Sequence, residues 1–212
     1  MDLFLSCDWG TSSFRLRLIQ LSDLKIIAEE KTGRGIAETY QKWKQTGGNE
    51  ADRFKFYQSY ITDQIGVLSK KANIPLDKIP VMLSGMASST IGMLDLAYKE
   101  LPFSLDGSDL KTEIIQVEGA NKFIIISGAR TEHDVMRGEE TKVVGCSLAT
   151  DQSYPEKLLI LPGTHPKHII IKDNQVIGFK TYMTGEFFDL LANQSVLSAS
   201  VEKGGDFMAP EN

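Results

Sequence analysis

The chain has 212 residues, of which 28 are acidic and 23 basic, so its formal net charge is −5 at pH 7. This acidic balance, with no basic run, argues against a nucleic-acid-binding surface. No apolar run reaches the length of a membrane span and no charged leader precedes the first apolar run, so we expect neither a membrane segment nor a signal peptide. Cys7 and Cys146 lie in apolar runs without metal-type spacing, as expected of reduced thiols in a cytoplasmic protein.

The first predicted element is a strand, a tight turn and a second strand. An apolar run ends at Asp8, the turn Gly10-Thr11-Ser12 follows, and from Phe14 onward apolar and polar residues alternate. Glycine lets the backbone approach a ligand, and the amides of Gly10, Thr11 and Ser12 can converge on an anion. Asp8 at the mouth of the turn suits a hydrated magnesium ion that rides on phosphates. An ordinary hairpin turn without a ligand is the alternative.

A second segment repeats this pattern. The apolar run 158–161 leads into Gly163-Thr164-His165, and another alternating strand begins at His168. Each copy continues into a third strand, and Thr32-Gly33 follows the first turn at nearly the distance at which Thr184-Gly185 follows the second. The sequence therefore predicts two diverged copies of one three-strand unit. A helix beginning at Thr184 is predicted to pack its apolar residues on the second sheet.

Two further segments between these copies carry candidate site residues. An amphipathic helix over 50–71 precedes a short strand that runs into Ser84-Gly85-Met86, which indicates either a ligand-binding loop or a plain turn. A capping-box-like start at 131–134 predicts a helix that carries Asp134, Arg137, Glu139 and Glu140 in its first turns. Carboxylates and an arginine at the carboxyl end of a sheet can position a hydroxyl and take its proton. Considered singly, a non-functional explanation is favoured for each, with Asp134 as a helix cap and Glu139 and Glu140 on a solvated face.

Taken together, the motifs resemble the 2-dehydro-3-deoxygalactonokinases of the actin, hexokinase and Hsp70 ATPase superfamily. The resemblance rests on Asp8-Trp-Gly-Thr-Ser, Ser84-Gly-Met86, Asp134-Val-Met-Arg-Gly-Glu-Glu-Thr141, Leu161-Pro-Gly-Thr-His165 and Tyr182-Met-Thr-Gly-Glu186, in that order. It implies an α/β fold in which residues 1–149 form a ribonuclease H-like (actin-like ATPase) lobe with a mixed sheet flanked by helices. Residues 150–212 would form the first part of a second, similar lobe. Because family members are longer, we expect this lobe and its adenosine pocket to be incomplete, and its uncovered faces to favour a homo-oligomer.

The same resemblance implies an activity and a role for each site residue. The expected reaction is transfer of the γ-phosphate of ATP, with Mg²⁺, to the C6 hydroxyl of 2-dehydro-3-deoxy-D-galactonate in galactonate catabolism. The two turns would bind the phosphates, Asp8 would hold Mg²⁺ through water, and either Asp134, which we favour, or Glu139 would be the base. The expected sugar-acid ligands are Ser84, Gly85, Met86, Glu140 and, on the carboxylate, Arg137. A non-catalytic binding relative and an exopolyphosphatase-like phosphohydrolase are the alternatives.

Overall fold

The computed structural model describes residues 2–116, 119, 121–147 and 154–201. The strands are β1 (Leu3–Trp9), β2 (Phe14–Gln20), β3 (Ile26–Thr32), β4 (Val81–Gly85), β5 (Lys99–Glu100), β6 (Phe103–Ser104), β7 (Thr112–Gln116), β8 (Lys122–Ile126), β9 (Ala129–Arg130), β10 (Val135–Met136), β11 (Glu156–Leu161), β12 (Lys167–Lys172) and β13 (Gln175–Thr181). The α-helices are α1 (Ile36–Gln45), α2 (Glu50–Ala72), α3 (Glu139–Ser147) and α4 (Thr184–Gln194), and Met86–Ser88 and Val196–Ser200 form short 3₁₀-helices.

The first sheet has six strands in the order β3-β2-β1-β4-β8-β7. β1, β2 and β3 form an antiparallel meander, whereas β4 lies parallel to β1 and β8 parallel to β4. Helices α1 and α2 form the crossover from β3 to β4, and such a crossover allows parallel strands to lie side by side. This arrangement is the ribonuclease H-like lobe with a mixed sheet that the motifs implied.

One face of this sheet forms the main core, and the other is polar. Alternation along β1 and β2 buries Leu5, Cys7, Trp9, Phe14, Leu16 and Leu18, which pack against Tyr57, Ile61 and Leu68 of α2. The same period of two directs the side chains of Asp8, Arg15 and Arg17 to the opposite face, where each is half-buried. The core pattern of the strand therefore also fixes which polar residues face the site.

The second sheet is antiparallel, with the strand order β11-β12-β13-β6. Its first three strands repeat the β1-β2-β3 meander, which confirms the predicted second copy of the unit. A small sheet of β10, β9 and β5 lies before this repeat in the chain. The second core combines residues from before and after residue 150, among them Phe103, Met136, Ile169 and Val176. The division into lobes 1–149 and 150–212 thus stays a prediction, since both parts of the chain build this core.

The predicted start of the helix at 131–134 is wrong. Val135 and Met136 form β10, which pairs with β9, and α3 begins only at Glu139. Gly138 has φ +101°, a left-handed conformation through which a helix does not continue, so residues up to 138 lie outside α3. The amide of Asp134 donates to Thr131 Oγ1 at 2.9 Å in a turn that precedes the strand. Asp134 and Arg137 consequently do not share a helix with the two glutamates.

The packing predicted for α4 is also wrong. Phe187, Leu190, Leu191 and Leu197 were expected to pack on the sheet, yet each is between 40% and 58% exposed. The helix follows β13 directly, but no other part of the chain that the structure describes covers this apolar side. Within the same described residues, no helix is both long and apolar enough to cross a membrane.

Candidate active site

The first hairpin turn rests on the amino terminus of α1. The amide of Gly10 donates to Ser13 O at 2.9 Å, which closes the turn between β1 and β2. The carbonyls of Gly10 and Thr11 accept from the first amides of α1 at 3.0 and 3.1 Å. Within the described residues, the amides of Thr11 and Ser12 have no hydrogen-bond acceptor, and both residues are exposed. The turn therefore presents free donors beside the positive end of a helix dipole, as an anion site requires.

The second hairpin turn is built in the same way against α4. Thr164 O accepts from the amide of Glu186 at 3.0 Å, and His165 Nε2 lies 2.6 Å from Glu186 Oε2. Gly163, Thr164 and His165 are exposed, like the residues of the first turn. Each of the two candidate phosphate-binding turns thus has its own helix.

Each of these helices has a glycine at its start, and the missing side chain allows the turn to pack closely against the helix. A Cβ placed on Gly35 would lie 2.2 Å from Thr11 O, and one on Gly185 would lie 2.3 Å from Gly163 O. The spacing along the chain had matched Gly33 to Gly185, but a Cβ on Gly33 would have no atom within 4 Å. Gly35 is therefore the structural counterpart of Gly185, two residues beyond the position that counting along the chain assigned.

Asp8, Ser84 and Gly85 meet at the carboxyl ends of the adjacent parallel strands β1 and β4. Asp8 pairs with Ser84 in register, and a Cβ on Gly85 would lie 2.7 Å from Trp9 O and 3.4 Å from Asp8 Oδ1. Gly138 approaches the same point, since its Cβ would lie 3.0 Å from Gly85 Cα. The residues just before α3 are therefore packed against the strand end that carries Asp8. Met86 follows directly in the short 3₁₀-helix.

The two glutamates that open α3 differ in environment. Glu139 is half-buried, and its Oε2 accepts from the amide of Arg137 at 3.0 Å. Glu140 is completely buried, and its two carboxyl oxygens accept from the amide of Gly138 at 2.9 and 2.7 Å. Burial raises the pKa of Glu140 from its usual value near 4.5 to about 8, because the ionised form loses its hydration. Glu140 is thus a fixed part of the turn at Gly138, not a solvated residue.

This raised pKa predicts a pH dependence of stability. Between about pH 4.5 and pH 8 the folded chain binds more protons than the unfolded chain, so the free energy of unfolding falls as the pH rises, by up to about 4 kcal/mol. Glu140→Gln remains neutral and can still accept from Gly138, so this variant should lose that dependence. Urea unfolding at pH 5, 6, 7 and 8 measures it. Glu132→Gln, at a residue whose side chain is 87% exposed, is the control, and an equal slope in both variants would contradict the assignment.

Arg137 is already engaged within the chain. Its Nη1 donates to Ser88 O and, at 2.7 Å, to Ser88 Oγ, and its guanidinium lies 4.2 Å from the centre of the Tyr98 ring. Its buried Nε has no hydrogen-bond partner among the described residues. Arg137 therefore links the segment before α3 to the loop after β4.

Asp134 lies apart from Asp8, at the second sheet. Its Oδ2 accepts from the amide of Thr181 at 2.7 Å, and its Oδ1 accepts from Thr181 Oγ1 and from the amide of Val135, both at 2.8 Å. Lys167 Nζ is 4.0 Å from Oδ1 and donates to Val135 O at 2.7 Å. These bonds tie β10 to β13, so Asp134 has at least a structural role.

A cavity of about 530 Å³ lies between the polar face of the first sheet and α3. Asp8, Arg15, Arg17 and Ser84 line it from the sheet, and Gly138, Thr141 and Lys142 line it from the α3 side. Thr141 Oγ1 also donates to Gly138 O at 2.8 Å, which fixes the turn beside the cavity. The lining of the cavity combines apolar side chains with charged groups of both signs, as small-molecule sites commonly do.

Comparison with known proteins decides the family. A family model described as 2-keto-3-deoxy-galactonokinase matches residues 8–210, nearly the whole chain. The chain belongs to this family. The probable 2-dehydro-3-deoxygalactonokinase of Rhizobium meliloti (strain 1021) is 31% identical over 209 residues, which cover 97% of this chain and 61% of that protein. The 2-dehydro-3-deoxygalactonokinase of Escherichia coli (strain K12) is 34% identical over 131 residues, or 59% of this chain and 41% of that protein.

A solved structure supports the same membership. The crystal structure of a candidate 2-dehydro-3-deoxygalactonokinase from Sinorhizobium meliloti matches with a TM-score of 0.73 and 28% identity. The match covers 95% of this chain and 60% of that one. The fold of the 2-keto-3-deoxy-galactonokinase family is therefore present over almost all of this chain. The chain spans about 61% of the length of the Rhizobium meliloti relative.

The structure thus groups the predicted site residues in four places. Gly10, Thr11 and Ser12 lie against the start of α1. Asp8, Ser84, Gly85, Glu139 and Glu140 gather where β1, β4 and the start of α3 meet. Gly163, Thr164 and His165 lie against α4, and Asp134 lies on the second sheet. Sequence reasoning missed Gly35, which an alignment of the two copies around their helix starts would have revealed. It also missed Gly138 and Thr141 as lining residues, although both belong to the family string.

Proposed function

We propose that this member of the 2-keto-3-deoxy-galactonokinase family takes part in transfer of the ATP γ-phosphate to the C6 hydroxyl of 2-dehydro-3-deoxy-D-galactonate. Both glycine turns lie at the start of a helix and carry exposed residues, and in the first turn the amides of Thr11 and Ser12 are free. These features support binding of the nucleotide phosphates by the two turns, which together form the proposed phosphate cradle. The observation that carries the proposal is the contact of Asp8, Gly85 and Gly138, because it joins three family motifs at one point. In the reaction the hydroxyl proton passes to a base, the hydroxyl oxygen bonds to the γ-phosphorus, and the bond from that phosphorus to the β–γ bridging oxygen breaks, so that ADP leaves.

The residues around Asp8 fit a magnesium ion held through water. The described residues contain no group of three or more His, Cys, Asp or Glu side chains able to hold a metal ion by themselves. One half-buried carboxylate beside an anion-binding turn suits an ion that brings its water molecules and the nucleotide phosphates as ligands. When bound, Mg²⁺ would neutralise charge on the phosphates, and Asp8 would orient it from the end of β1.

We propose Glu139 as the base toward the sugar hydroxyl, in preference to Asp134. Three hydrogen-bond donors occupy the carboxylate of Asp134, with Lys167 close by, so this side chain is held between β10 and β13 and is not free to turn toward a substrate. Glu139 accepts one described hydrogen bond, through Oε2, and follows Gly138, which touches the strand end that carries Asp8. Arg137 remains the proposed ligand of the sugar carboxylate, through the part of its guanidinium that Ser88 does not engage.

The assignment of the base predicts different effects for two isosteric variants. Glu139→Gln should lower kcat by about 100-fold or more without lowering the Tm, because removal of a general base acts on the chemical step. Asp134→Asn should lower the Tm, because its amide group cannot accept every hydrogen bond that the carboxylate accepts. Steady-state kinetics and thermal melts of both variants measure this. The reverse pattern would restore Asp134 as the base.

The proposed function itself is tested by ADP formation from Mg-ATP with and without 2-dehydro-3-deoxy-D-galactonate. Sugar-dependent ADP is the expected result for the 212-residue chain, with a high KM for ATP because the adenosine pocket is expected to be incomplete. Phosphate release from polyphosphate without a sugar acid would instead indicate a phosphohydrolase. Binding of the sugar acid without any ATP binding would indicate a non-catalytic relative.

A further inference from the structure

The second three-strand unit leaves uncovered the sheet face that α2 covers in the first unit. Leu158 and Ile160 of β11 precede the second glycine turn by the same distances as Leu5 and Cys7 of β1 precede the first. Leu5 and Cys7 are completely buried, whereas Leu158 is 60% and Ile160 51% exposed. The two faces are therefore equivalent in the repeat, but within the described residues only the first one is covered.

The strand register extends this correspondence to the second strand of each unit. Leu5 pairs with Leu18 in the first unit. Leu158 pairs with Ile170 in the second. Leu18 is completely buried in the core that α2 closes, whereas Ile170 is 41% exposed. Leu158, Ile160 and Ile170 thus form an apolar surface, here called the open face, on which the first unit carries a helix.

Helix α4 has an apolar side that is also uncovered. Phe187, Phe188, Leu190 and Leu191 are between 40% and 69% exposed. Residues three and four positions apart lie on one side of a helix, so these four side chains form a continuous stripe. Since both the stripe and the open face are exposed, α4 does not cover the open face of its own chain. Contiguous exposed apolar surface of this kind indicates an interaction site.

Charge favours a contact between α4 and the open face. Helix α4 contains the acidic residues Glu186 and Asp189 and no basic residue. Among the strand residues on the same side as the open face, Lys172 and Lys180 are basic, and Glu156 at the start of β11 is the acidic one. Opposite charge on two surfaces steers their association and selects their orientation. The stripe and the open face therefore complement each other in both hydrophobicity and charge.

We propose that two copies of this chain associate so that α4 of each copy covers the open face of the other. Each copy then provides one helix and one sheet face, and a two-fold axis forms the same contact twice. This doubling favours stability, because a stable interface buries about 800 Å² on each partner. The partner's helix would take the place on the second unit that α2 has on the first. The inference does not depend on the proposed kinase function.

Sedimentation equilibrium over about a hundredfold range of concentration tests this association. The wild-type chain should show twice the monomer mass of 23.5 kDa and dissociate on dilution. Phe188→Glu on α4 and Leu158→Lys on the open face should each weaken the dimer by about tenfold or more, because either one places a charge in the apolar contact. Leu21→Lys is the matched control, since Leu21 lies in the first unit and is 58% exposed, and it should leave the dimer unchanged.

A mixture of the two variants makes the test specific for a helix on a sheet. In a mixed pair, the unchanged α4 of the Leu158→Lys chain covers the unchanged open face of the Phe188→Glu chain. The other contact sets the new carboxylate against the new ammonium group. The mixture should therefore recover the dimer that each variant alone has lost, and circular dichroism should show both variants to be folded.

A wild-type chain that stays monomeric at every concentration would overturn the proposal, and so would a dimer that both single variants leave intact. Loss of the dimer without recovery in the mixture would also overturn it, because like surfaces would then meet. The chain spans about 61% of the length of the Rhizobium meliloti relative, so the unmatched part of that protein is the rival occupant. If a monomeric wild-type chain bound that part as an added polypeptide, the open face would belong to it and the proposed dimer would be refuted.

Discussion

Replacement of Gly35 by alanine is expected to displace the first phosphate turn and abolish Mg-ATP binding. The added Cβ would lie 2.2 Å from Thr11 O and 2.5 Å from Ser12 N, and both are backbone atoms that cannot rotate away. Gly35 has φ −76°, which alanine adopts freely, so the effect is one of space and not of backbone conformation. We expect a loss of about 3 kcal/mol in the free energy of unfolding, or a fall of about 10 °C in Tm.

Gly33→Ala provides a closely matched control for this experiment. It is the same substitution two residues away, and no atom lies within 4 Å of the new methyl group. Thermal melts and Mg-ATP titrations should therefore separate the two variants completely. Equal behaviour of Gly33→Ala and Gly35→Ala would show that the first turn does not pack against the start of α1.

Asp8→Asn is expected to lower sugar-dependent ADP formation by about 100-fold or more with almost no change in stability. The substitution removes the charge proposed to orient Mg²⁺, and loss of one well-placed electrostatic group commonly has an effect of this size. The ion pair with Arg15 is long, at 3.9 Å, and both side chains are more than one third exposed, so its loss should cost less than about 1 kcal/mol. Kinetics over a range of Mg²⁺ concentrations and a thermal melt measure the two effects.

Asp106→Asn serves as the control for charge in the same cavity. Asp106 also lines the cavity, but its carboxylate caps a turn by accepting from the amide of Ser108 at 2.9 Å, which an asparagine oxygen can do as well. Its activity should stay close to that of the wild-type chain. An Asp8→Asn variant with full activity at saturating Mg²⁺ would remove Asp8 from the proposed reaction.

Short-range patterns in the sequence were enough to predict several of the elements and motifs. Alternation along β1 and β2 assigned the core and the polar face, and helical periodicity predicted α2 over nearly its full length. The repeated Gly-Thr turns predicted two related three-strand units. The ordered motif set predicted the family that the family model then matched over residues 8–210.

Short-range patterns did not predict which of the motif residues lie together in the folded chain. Asp134 and Glu139 are five residues apart, yet one bonds to β13 and the other follows a glycine that packs on β4. The local sequence pattern favoured one helix through both residues. It carries no information about the pairing of β10 with β9 or about the left-handed backbone at Gly138. The burial of Glu140 and the close packing of Gly35 have the same origin. Each depends on contacts between residues distant in the chain, and such contacts leave no local period in the sequence.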